Sequence, residues 1–233
     1  MDTFSAVVLA GGSGKRMGKA VKKQYLELFG KPLIFYPLRA FEQSDVDEVV
    51  LVTAPGEEAY CKEEIVDRFG FRKVSAIVVG GAERYHSVYE GLKAVKGDYV
   101  LIHDGVRAFV TREIIRRSMD AVKKYDACVV GMPAKDTIKV SSADGYVEST
   151  PPRERLWTIQ TPQAFRTDLI RTSYEKVLAE GREGITDDAM VVETACAQRV
   201  KLIEGSYENI KVTTPEDLLF AEEILKNRQE QSD

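Results

Sequence analysis

Short, uninterrupted apolar runs recur along the chain. They are rich in valine and isoleucine and do not alternate with polar residues, and they fall at residues 6–9, 49–52, 76–79, 99–102 and 128–130. Strands that are covered on both faces have this pattern, as in the parallel sheets of α/β proteins. The runs therefore predict a buried, mostly parallel sheet.

Apolar residues at helical spacing separate these runs. Ile34, Leu38 and Phe41 mark one such segment. Thr111 is placed to cap a second, and Thr214 followed by Pro215 is typical of the start of a third. Alternating strands and helices predict a Rossmann-like, doubly wound α/β fold that binds ligands at the carboxyl ends of its strands.

The segment from about 135 to 155 departs from this alternation. Two short alternating stretches, 137–140 and 146–150, flank Asp144 and Gly145, a pair that favours a tight turn. We therefore expect one domain over residues 1–233 with a protruding β-hairpin arm. A two-stranded ribbon is marginal in water by itself, so the arm predicts packing on a second copy of the chain in a homodimer.

Composition narrows the function classes. The chain has 233 residues, of which 44% are hydrophobic and 30% are charged, and its net charge is -4. These values are typical of a folded globular protein and make general binding to nucleic acid or anionic membranes unfavourable. No apolar run approaches the 18 residues that a membrane span needs.

Cysteine and histidine are scarce. The three cysteines form no CxxC pair, and the first residues lack the pattern of a signal peptide, so we expect a cytoplasmic protein. Two histidines leave little material for a histidine metal site or a Ser-His-Asp triad.

Positive charge is concentrated near the start. Residues 1–31 carry six basic and two acidic groups, a net charge of +4, whereas the rest of the chain carries -8. Directly after the first predicted strand, residues 10–18 read AGGSGKRMG. Glycines allow backbone N–H groups to approach a phosphate closely, and five basic residues between positions 15 and 23 favour a bound polyanion.

Two common phosphate-binding patterns do not match this loop. A Walker A loop requires glycine where Leu9 stands and serine or threonine where Arg16 stands. The dinucleotide fingerprint requires glycine at Met17, which disfavours a nucleotide-dependent dehydrogenase. A tight turn with a solvated basic flank is the structural alternative.

Several motifs in register resemble one enzyme family. They are LAGGSGKRMG at 9–18 with KQYL at 23–26, GGAERYHSV at 80–88, HDGVR at 103–107, LWTIQTPQAF at 156–165, ITDDA at 185–189 and GSYENIKVTTPEDL at 205–218. Together they resemble the sugar-phosphate and polyol-phosphate cytidylyltransferases, and most closely the 2-C-methyl-D-erythritol 4-phosphate cytidylyltransferase family of the non-mevalonate isoprenoid pathway. The resemblance implies a nucleotidyltransferase that moves CMP from CTP to this polyol phosphate and releases pyrophosphate, with Mg²⁺.

The resemblance also implies roles for the residues around CTP. It makes Arg16, Lys23 and Lys211 the catalytic cations on the phosphates. It assigns nucleotide binding to Ala10, Gly11, Gly12, Gly14, Gly81, Arg84 and Ser87. Without the family, Lys211 could be an exposed strand end, and Arg84 could form a surface ion pair.

The resemblance also implies a set of residues that bind the polyol phosphate. The family places Asp104 and Arg107 beside it, uses Thr161 and Thr186 to bind it, and brings Arg153 across the dimer, with Lys139 also near the arm. Asp104 follows an apolar strand, where a carboxylate can meet Mg²⁺, although Mg²⁺ is expected mainly on the CTP phosphates; it could also cap a turn. Thr186 is predicted from the sequence to cap a helix as well.

Three positions depart from the family pattern. Lys22 and Ala108 stand where proline is usual, and Pro151-Pro152 replaces the usual approach to Arg153. Lys22 could therefore compete with Lys23 for phosphate. The nearest alternative functions are ribitol 5-phosphate cytidylyltransferase, with the same chemistry on another acceptor, and a CTP-binding regulator without catalysis.

Overall fold

A central sheet organises residues 2–12 and 22–230, which are those that the computed structural model describes. The strands, in chain order, are β1 (Phe4–Leu9), β2 (Glu27–Leu28), β3 (Lys31–Pro32), β4 (Glu48–Thr53), β5 (Val74–Val79), β6 (Tyr99–Asp104), β7 (Ala127–Pro133), β8 (Val140–Ser141), β9 (Val147–Ser149), β10 (Trp157–Arg166) and β11 (Lys201–Glu204). Seven of them form one sheet in the order β11-β7-β10-β6-β1-β4-β5.

The strand order places the carboxyl ends of β1 and β6 side by side. Strand β1 pairs in parallel with both β4 and β6, and Leu9 lies opposite Asp104 in the register. Strand β10 runs antiparallel between β6 and β7. The predicted mostly parallel, doubly wound α/β fold is therefore confirmed, and it brings the glycine loop after β1 next to Asp104.

Helices flank both faces of the sheet. They are α1 (Phe35–Glu42), α2 (Glu58–Tyr60), α3 (Arg84–Ala94), α4 (Arg112–Tyr125), α5 (Thr167–Ala179), α6 (Asp188–Cys196) and α7 (Pro215–Glu230). A π-helical stretch, Cys61–Asp67, continues α2, and 3₁₀ turns occur at Lys23–Tyr25 and Arg153–Arg155.

The predicted helix starts are correct in two cases and wrong in one. The Thr111 hydroxyl accepts a hydrogen bond from the Ile114 N–H, and α7 begins directly after Thr214. The prediction that Thr186 caps a helix is wrong, because Asp187 accepts the Met190 N–H and α6 starts at Asp188. Both side chains can cap a helix, and the backbone position of the first turn decides which one does so.

Alternate residues of each buried strand supply two separate cores. On one face, Ala6 and Val8 pack with α1 and α4. On the other, Val7 packs with α3, α5 and α6. Because successive side chains of a strand point to opposite faces, an unbroken apolar run is what a sheet between two helix layers requires.

A third core holds the C-terminal segment over the carboxyl ends of the strands. Helix α7 contributes Ala221 and Leu225, which pack with Leu28, Phe109 and Val212. The Val212 N–H also donates to the Val106 carbonyl at 3.1 Å. Residue 211 is therefore fixed beside the loop that follows β6.

The arm forms a separate two-stranded sheet. Strands β8 and β9 pair antiparallel, and Gly145 in the turn has a φ of +88°, which glycine adopts without strain. The predicted hairpin is confirmed, although its strands are shorter than the sequence pattern suggested. Tyr146 at its tip is 75% exposed.

Gly105 allows the loop after β6 to approach β1. Its N–H donates to the Leu9 carbonyl at 2.9 Å, and a Cβ at this position would lie 2.6 Å from the same oxygen. Any side chain here would separate the two strand ends.

His103 connects β6 to β10 from inside the protein. It is fully buried; Nε2 lies 3.1 Å from the Arg107 carbonyl oxygen and Nδ1 lies 3.0 Å from the Thr161 hydroxyl. A carbonyl only accepts, so Nε2 carries the hydrogen and the Thr161 hydroxyl donates to Nδ1. Burial lowers the pKa of His103 to about 4.

The buried neutral imidazole makes folding sensitive to mild acid. Below a pKa of about 6.5, unfolded His103 binds a proton that the folded protein does not bind, so stability is lost as the pH falls. The free energy of unfolding should drop by about 2 kcal/mol between pH 7 and pH 5 from this residue. Denaturant titrations of the parent and His103→Gln should show a shallower pH dependence in the variant; equal slopes would contradict this prediction.

Candidate functional site

A cavity of about 630 Å³ opens where β1 and β6 end and α3 begins. Nine of the residues predicted to form the site line it: Ala10, Gly11, Gly12, Lys23, Gly81, Arg84, Ser87, Asp104 and Lys211. They come from segments far apart in the sequence, and the parallel strand order brings them together. Ligands of open α/β sheets bind in this place.

The Asp104 carboxylate lies among three cations. Its Oδ2 is 2.7 Å from Lys211 Nζ and 4.0 Å from Arg107 Nε, and its Oδ1 is 3.2 Å from Arg84 Nε. Burial alone would raise the pKa of Asp104, but Arg84, Lys211 and Arg107 outweigh burial and hold the pKa well below its usual range. Asp104 is therefore ionised at neutral pH and attracts the cations towards one point.

A second carboxylate holds Arg84 from behind. Both terminal nitrogens of Arg84 contact the oxygens of Asp188 at 2.9 Å, which is a bidentate ion pair. Asp188 is fully buried and also accepts a hydrogen bond of 2.6 Å from Tyr174. Burial would lower the pKa of Arg84, but Asp188 and Asp104 raise it well above its usual value. Arg84 is therefore a rigid, permanently charged wall of the cavity.

The sequence did not identify Asp188 as part of the site. It stands in the quoted ITDDA motif, but nothing in the sequence distinguishes it from Asp187, which caps α6. Gln163 completes the network, because its side-chain oxygen accepts from the N–H groups of Asp188 and Ala189. Only the packing of α5 against α6 makes one of the two aspartates buried.

Arg107 supports the cavity from its edge. It donates to the Asn209 carbonyl at 2.8 Å and to the Ile159 carbonyl at 3.2 Å, and it does not line the cavity. Burial lowers the pKa of Arg107. These bonds connect the loop after β6 to the segment that carries Lys211.

Lys23 lies beside the glycine loop on the opposite wall. Its Cε would be 3.6 Å from a Cβ added at Gly12, an ordinary van der Waals distance, so Lys23 borders the glycine loop directly. The neighbouring Gln24 is buried and donates to the Ala10 carbonyl at 2.5 Å. The short 3₁₀ turn is thereby fixed to the end of β1.

Gly81 lies in the loop before α3, and Ser87 lies in the first turn of that helix. The Ser87 hydroxyl lies 3.3 Å from the Gly81 carbonyl and 3.1 Å from the Glu83 carbonyl, so it donates to the preceding loop. This arrangement presents the loop backbone to the cavity.

Thr161 and Thr186 are predicted site residues that do not line the cavity. Arg16 and Gly14 lie outside the described residues. Thr161 is buried behind Asp104, where its hydroxyl accepts the Asp104 N–H at 3.0 Å. Thr186 does not line the cavity, and its hydroxyl contacts Met190 Sδ at 3.6 Å.

Lys139 and Arg153, the two predicted site residues near the arm, do not line the cavity of the same chain. Lys139 contacts the Thr150 hydroxyl at 2.7 Å, and Arg153 donates to the Lys135 carbonyl at 3.1 Å. Both are exposed. The arrangement in one chain therefore leaves these side chains available to a neighbouring molecule.

The described residues contain neither a cluster of metal-ligating side chains nor a membrane-spanning helix. Within residues 2–12 and 22–230, no three His, Cys, Asp or Glu side chains are grouped as a metal site would require. No helix in the same part of the chain has the length and apolar character to span a bilayer.

The cavity can bind and orient a polyanion. Arg84 and Lys211 are fixed by carboxylates, so little reorganisation of these two cations is needed when negative charge enters. Two phosphorylated molecules could be held together here, because the positive walls offset their mutual repulsion.

Comparisons with known proteins agree with this geometry. The family model described as IspD, 2-C-methyl-D-erythritol 4-phosphate cytidylyltransferase, matches residues 4–227. A protein of that name from Lachnoclostridium phytofermentans is 47% identical over 231 residues, covering 99% of each chain. Another from Alkaliphilus oremlandii is 48% identical over 229 residues, covering 97% of this chain and 96% of the relative.

Solved structures give the same result. The crystal structure of 4-diphosphocytidyl-2C-methyl-D-erythritol synthase from Anaerococcus prevotii aligns with a TM-score of 0.85 at 36% identity, covering 97% of this chain and 96% of that one. The 2-C-methyl-D-erythritol 4-phosphate cytidylyltransferase of Thermus thermophilus aligns at 0.78 with 31% identity, covering 97% of this chain and 100% of that one. The chain therefore belongs to the 2-C-methyl-D-erythritol 4-phosphate cytidylyltransferase family of nucleotidyltransferases.

Proposed function

We propose that the cavity transfers CMP from CTP to 2-C-methyl-D-erythritol 4-phosphate. The products are 4-diphosphocytidyl-2-C-methyl-D-erythritol and pyrophosphate. The observation that carries the proposal is the arrangement of Lys23, Arg84 and Lys211 around one cavity beside Gly11 and Gly12, in a chain of this family.

The chemistry joins two anions. An oxygen of the acceptor phosphate attacks the α-phosphorus of CTP, and the bond from that phosphorus to the bridging oxygen breaks, so that pyrophosphate leaves with the electron pair. Lys23 and Lys211, together with Arg16, would neutralise the negative charge on the reacting phosphates. Positioning and charge neutralisation then account for most of the rate.

The remaining contacts divide between the two substrates. Backbone groups of Ala10, Gly11, Gly12 and Gly14 would hold the triphosphate, and Gly81, Arg84 and Ser87 would recognise the nucleoside. The acceptor would lie near Asp104 and Arg107, with Thr186 at its phosphate. Thr161 would act through Asp104, because the Thr161 hydroxyl accepts a hydrogen bond from the Asp104 N–H at 3.0 Å.

A magnesium ion fits this cavity only together with the nucleotide. Mg²⁺ is commonly held by one or two carboxylates and by substrate phosphates. Asp104 and Glu83 are carboxylates in the described lining of the cavity, and Asp104 could supply one ligand. When bound, Mg²⁺ would neutralise phosphate charge; the orientation of the nucleotide would still depend on the glycine loop and the lysines.

The arm, at about residues 135–155, would form the contact between two copies of the chain. The supporting observations are the exposure of Tyr146 and Val147 and the outward position of Arg153. In a symmetric dimer each arm would bring Arg153 to the partner's acceptor. A cytoplasmic location also remains part of the proposal, and it rests on the cysteine pattern.

Pyrophosphate release tests the function directly. Purified protein with Mg²⁺ and CTP should release pyrophosphate with 2-C-methyl-D-erythritol 4-phosphate and much more slowly with ribitol 5-phosphate. The opposite preference would favour the ribitol enzyme. CTP binding without release with either acceptor would favour a regulator and would overturn the proposal.

Removing the Lys211 charge should lower the rate of the chemical step. Lys211→Gln should reduce kcat about 100-fold, because one fixed donor at a developing charge is lost. The free energy of unfolding should change little, since Lys211 is 38% exposed and Arg84 and Arg107 still compensate the Asp104 charge. Lys226→Gln, an exposed lysine on α7, is the matched control and should retain the parent rate. Equal rates for the two variants would exclude the catalytic role.

The dimer proposal predicts complementation between two inactive variants. Arg153→Ala and Lys211→Gln, mixed under conditions that exchange subunits, should recover roughly a quarter of the parent activity, because half of the dimers would contain one complete site. Light scattering should report a dimer for each variant. Dimers that recover no activity, or a monomeric parent, would show that Arg153 does not act across an interface.

A further inference from the structure

Lys22 and Lys23 are adjacent cations, but only Lys23 lines the cavity. Lys22 Nζ instead contacts Glu57 Oε1 at 2.8 Å. Glu57 follows β4 and begins α2, so this ion pair joins two separate segments at the carboxyl end of the sheet. The pair withdraws Lys22 from the phosphates, for which it could otherwise compete with Lys23.

The second oxygen of Glu57 holds the other side of the same turn. Tyr25 donates its hydroxyl hydrogen to Glu57 Oε2 at 3.0 Å, and the hydroxyl also lies 3.1 Å from Cys61 Sγ. One carboxylate thus contacts Lys22, directly before the 3₁₀ turn Lys23–Tyr25, and Tyr25, the last residue of that turn. The Glu57 side chain is only 17% exposed, which favours a defined geometry.

The backbone of Lys22 has the conformation that proline would impose. Its φ is -63° and its ψ is 141°, whereas a proline ring fixes φ near -65°. Lysine also adopts other conformations, so contacts within the folded chain favour this one, including the hydrogen bond from the Tyr25 N–H to the Lys22 carbonyl at 2.9 Å. The Glu57 contacts to Lys22 and Tyr25 are suited to this, because they hold both ends of the turn.

We propose that Glu57 is a positioning residue for Lys23. Its carboxylate fixes the turn that directs Lys23 towards the CTP phosphates and keeps Lys22 out of the cavity. The inference rests on the proposed function, because Lys23 is taken to bind the phosphates. Glu57 itself touches neither substrate, since it does not line the cavity.

The test compares two isosteric substitutions at adjacent positions. Glu57→Gln should lower kcat/KM for CTP about tenfold, because a small displacement of a binding group is costly. Glu58→Gln removes the same charge one residue later, and the described contacts include no bond from Glu58 to Lys22 or Tyr25. Its kcat/KM for CTP should therefore stay within about twofold of the parent value, because the Glu58 charge does not hold the turn. The midpoint of thermal unfolding of both variants should remain close to that of the parent, since partly exposed ion pairs contribute little to stability.

Rescue distinguishes positioning from a general loss of charge. Lys22→Pro in the Glu57→Gln background sets the required φ without the ion pair and removes the competing cation. This double variant should recover to within about threefold of the parent kcat/KM, because proline preorganises the turn. Equal kinetics for Glu57→Gln and Glu58→Gln, or no recovery in the double variant, would overturn the proposal.

CTP binding measured by titration calorimetry separates this inference from the proposed function. The calorimetric affinity should fall in Glu57→Gln and recover in the double variant, even if neither acceptor is turned over. A parent that binds CTP but releases no pyrophosphate would refute the function and leave this test intact. A parent that turns over normally while Glu57→Gln binds CTP equally well would refute only the role of Glu57.

Discussion

The Asp104 carboxylate is the anion around which the cavity is arranged. It is buried, and its ionised form draws Arg84, Arg107 and Lys211 from three different segments towards one point. A buried ion pair contributes little net stability compared with apolar packing, but removing one partner is costly because the other charge stays uncompensated. The benefit of Asp104 is therefore the orientation of cations that would otherwise repel one another.

Arg84 and Lys211 are each held by residues that are themselves fixed by the surrounding structure. Arg84 is fixed by Asp188, which α5 and Gln163 hold in turn. Lys211 is placed by Val212 and the core beneath α7. Supports of this kind keep positive charge in place before a ligand arrives, and preorganised charge stabilises a developing anion more effectively than charge that must first rearrange.

The sheet determines where these supports can meet. Leu9 and Asp104 are neighbours because β1 pairs with β6, and Gly105 allows the following loop to stay within hydrogen-bond distance of β1. His103 and Thr161 fix the same loop from the interior through β10. The floor of the cavity is thus rigid, while the residues that would contact substrate project from loops at its rim.

The sequence alone determined the fold class, because unbroken apolar runs separated by helical spacing suit only a sheet covered on both faces. The family resemblance of its motifs also identified nine residues that line the cavity, since each motif is a short contiguous stretch of sequence. Long-range packing decided the rest. It made Asp188 the buried partner of Arg84, gave the helix cap to Asp187 instead of Thr186, placed Thr161 behind Asp104, and paired Lys22 with Glu57. Burial and ion pairing depend on the distances between segments in the folded chain. The order of residues along the sequence does not state those distances.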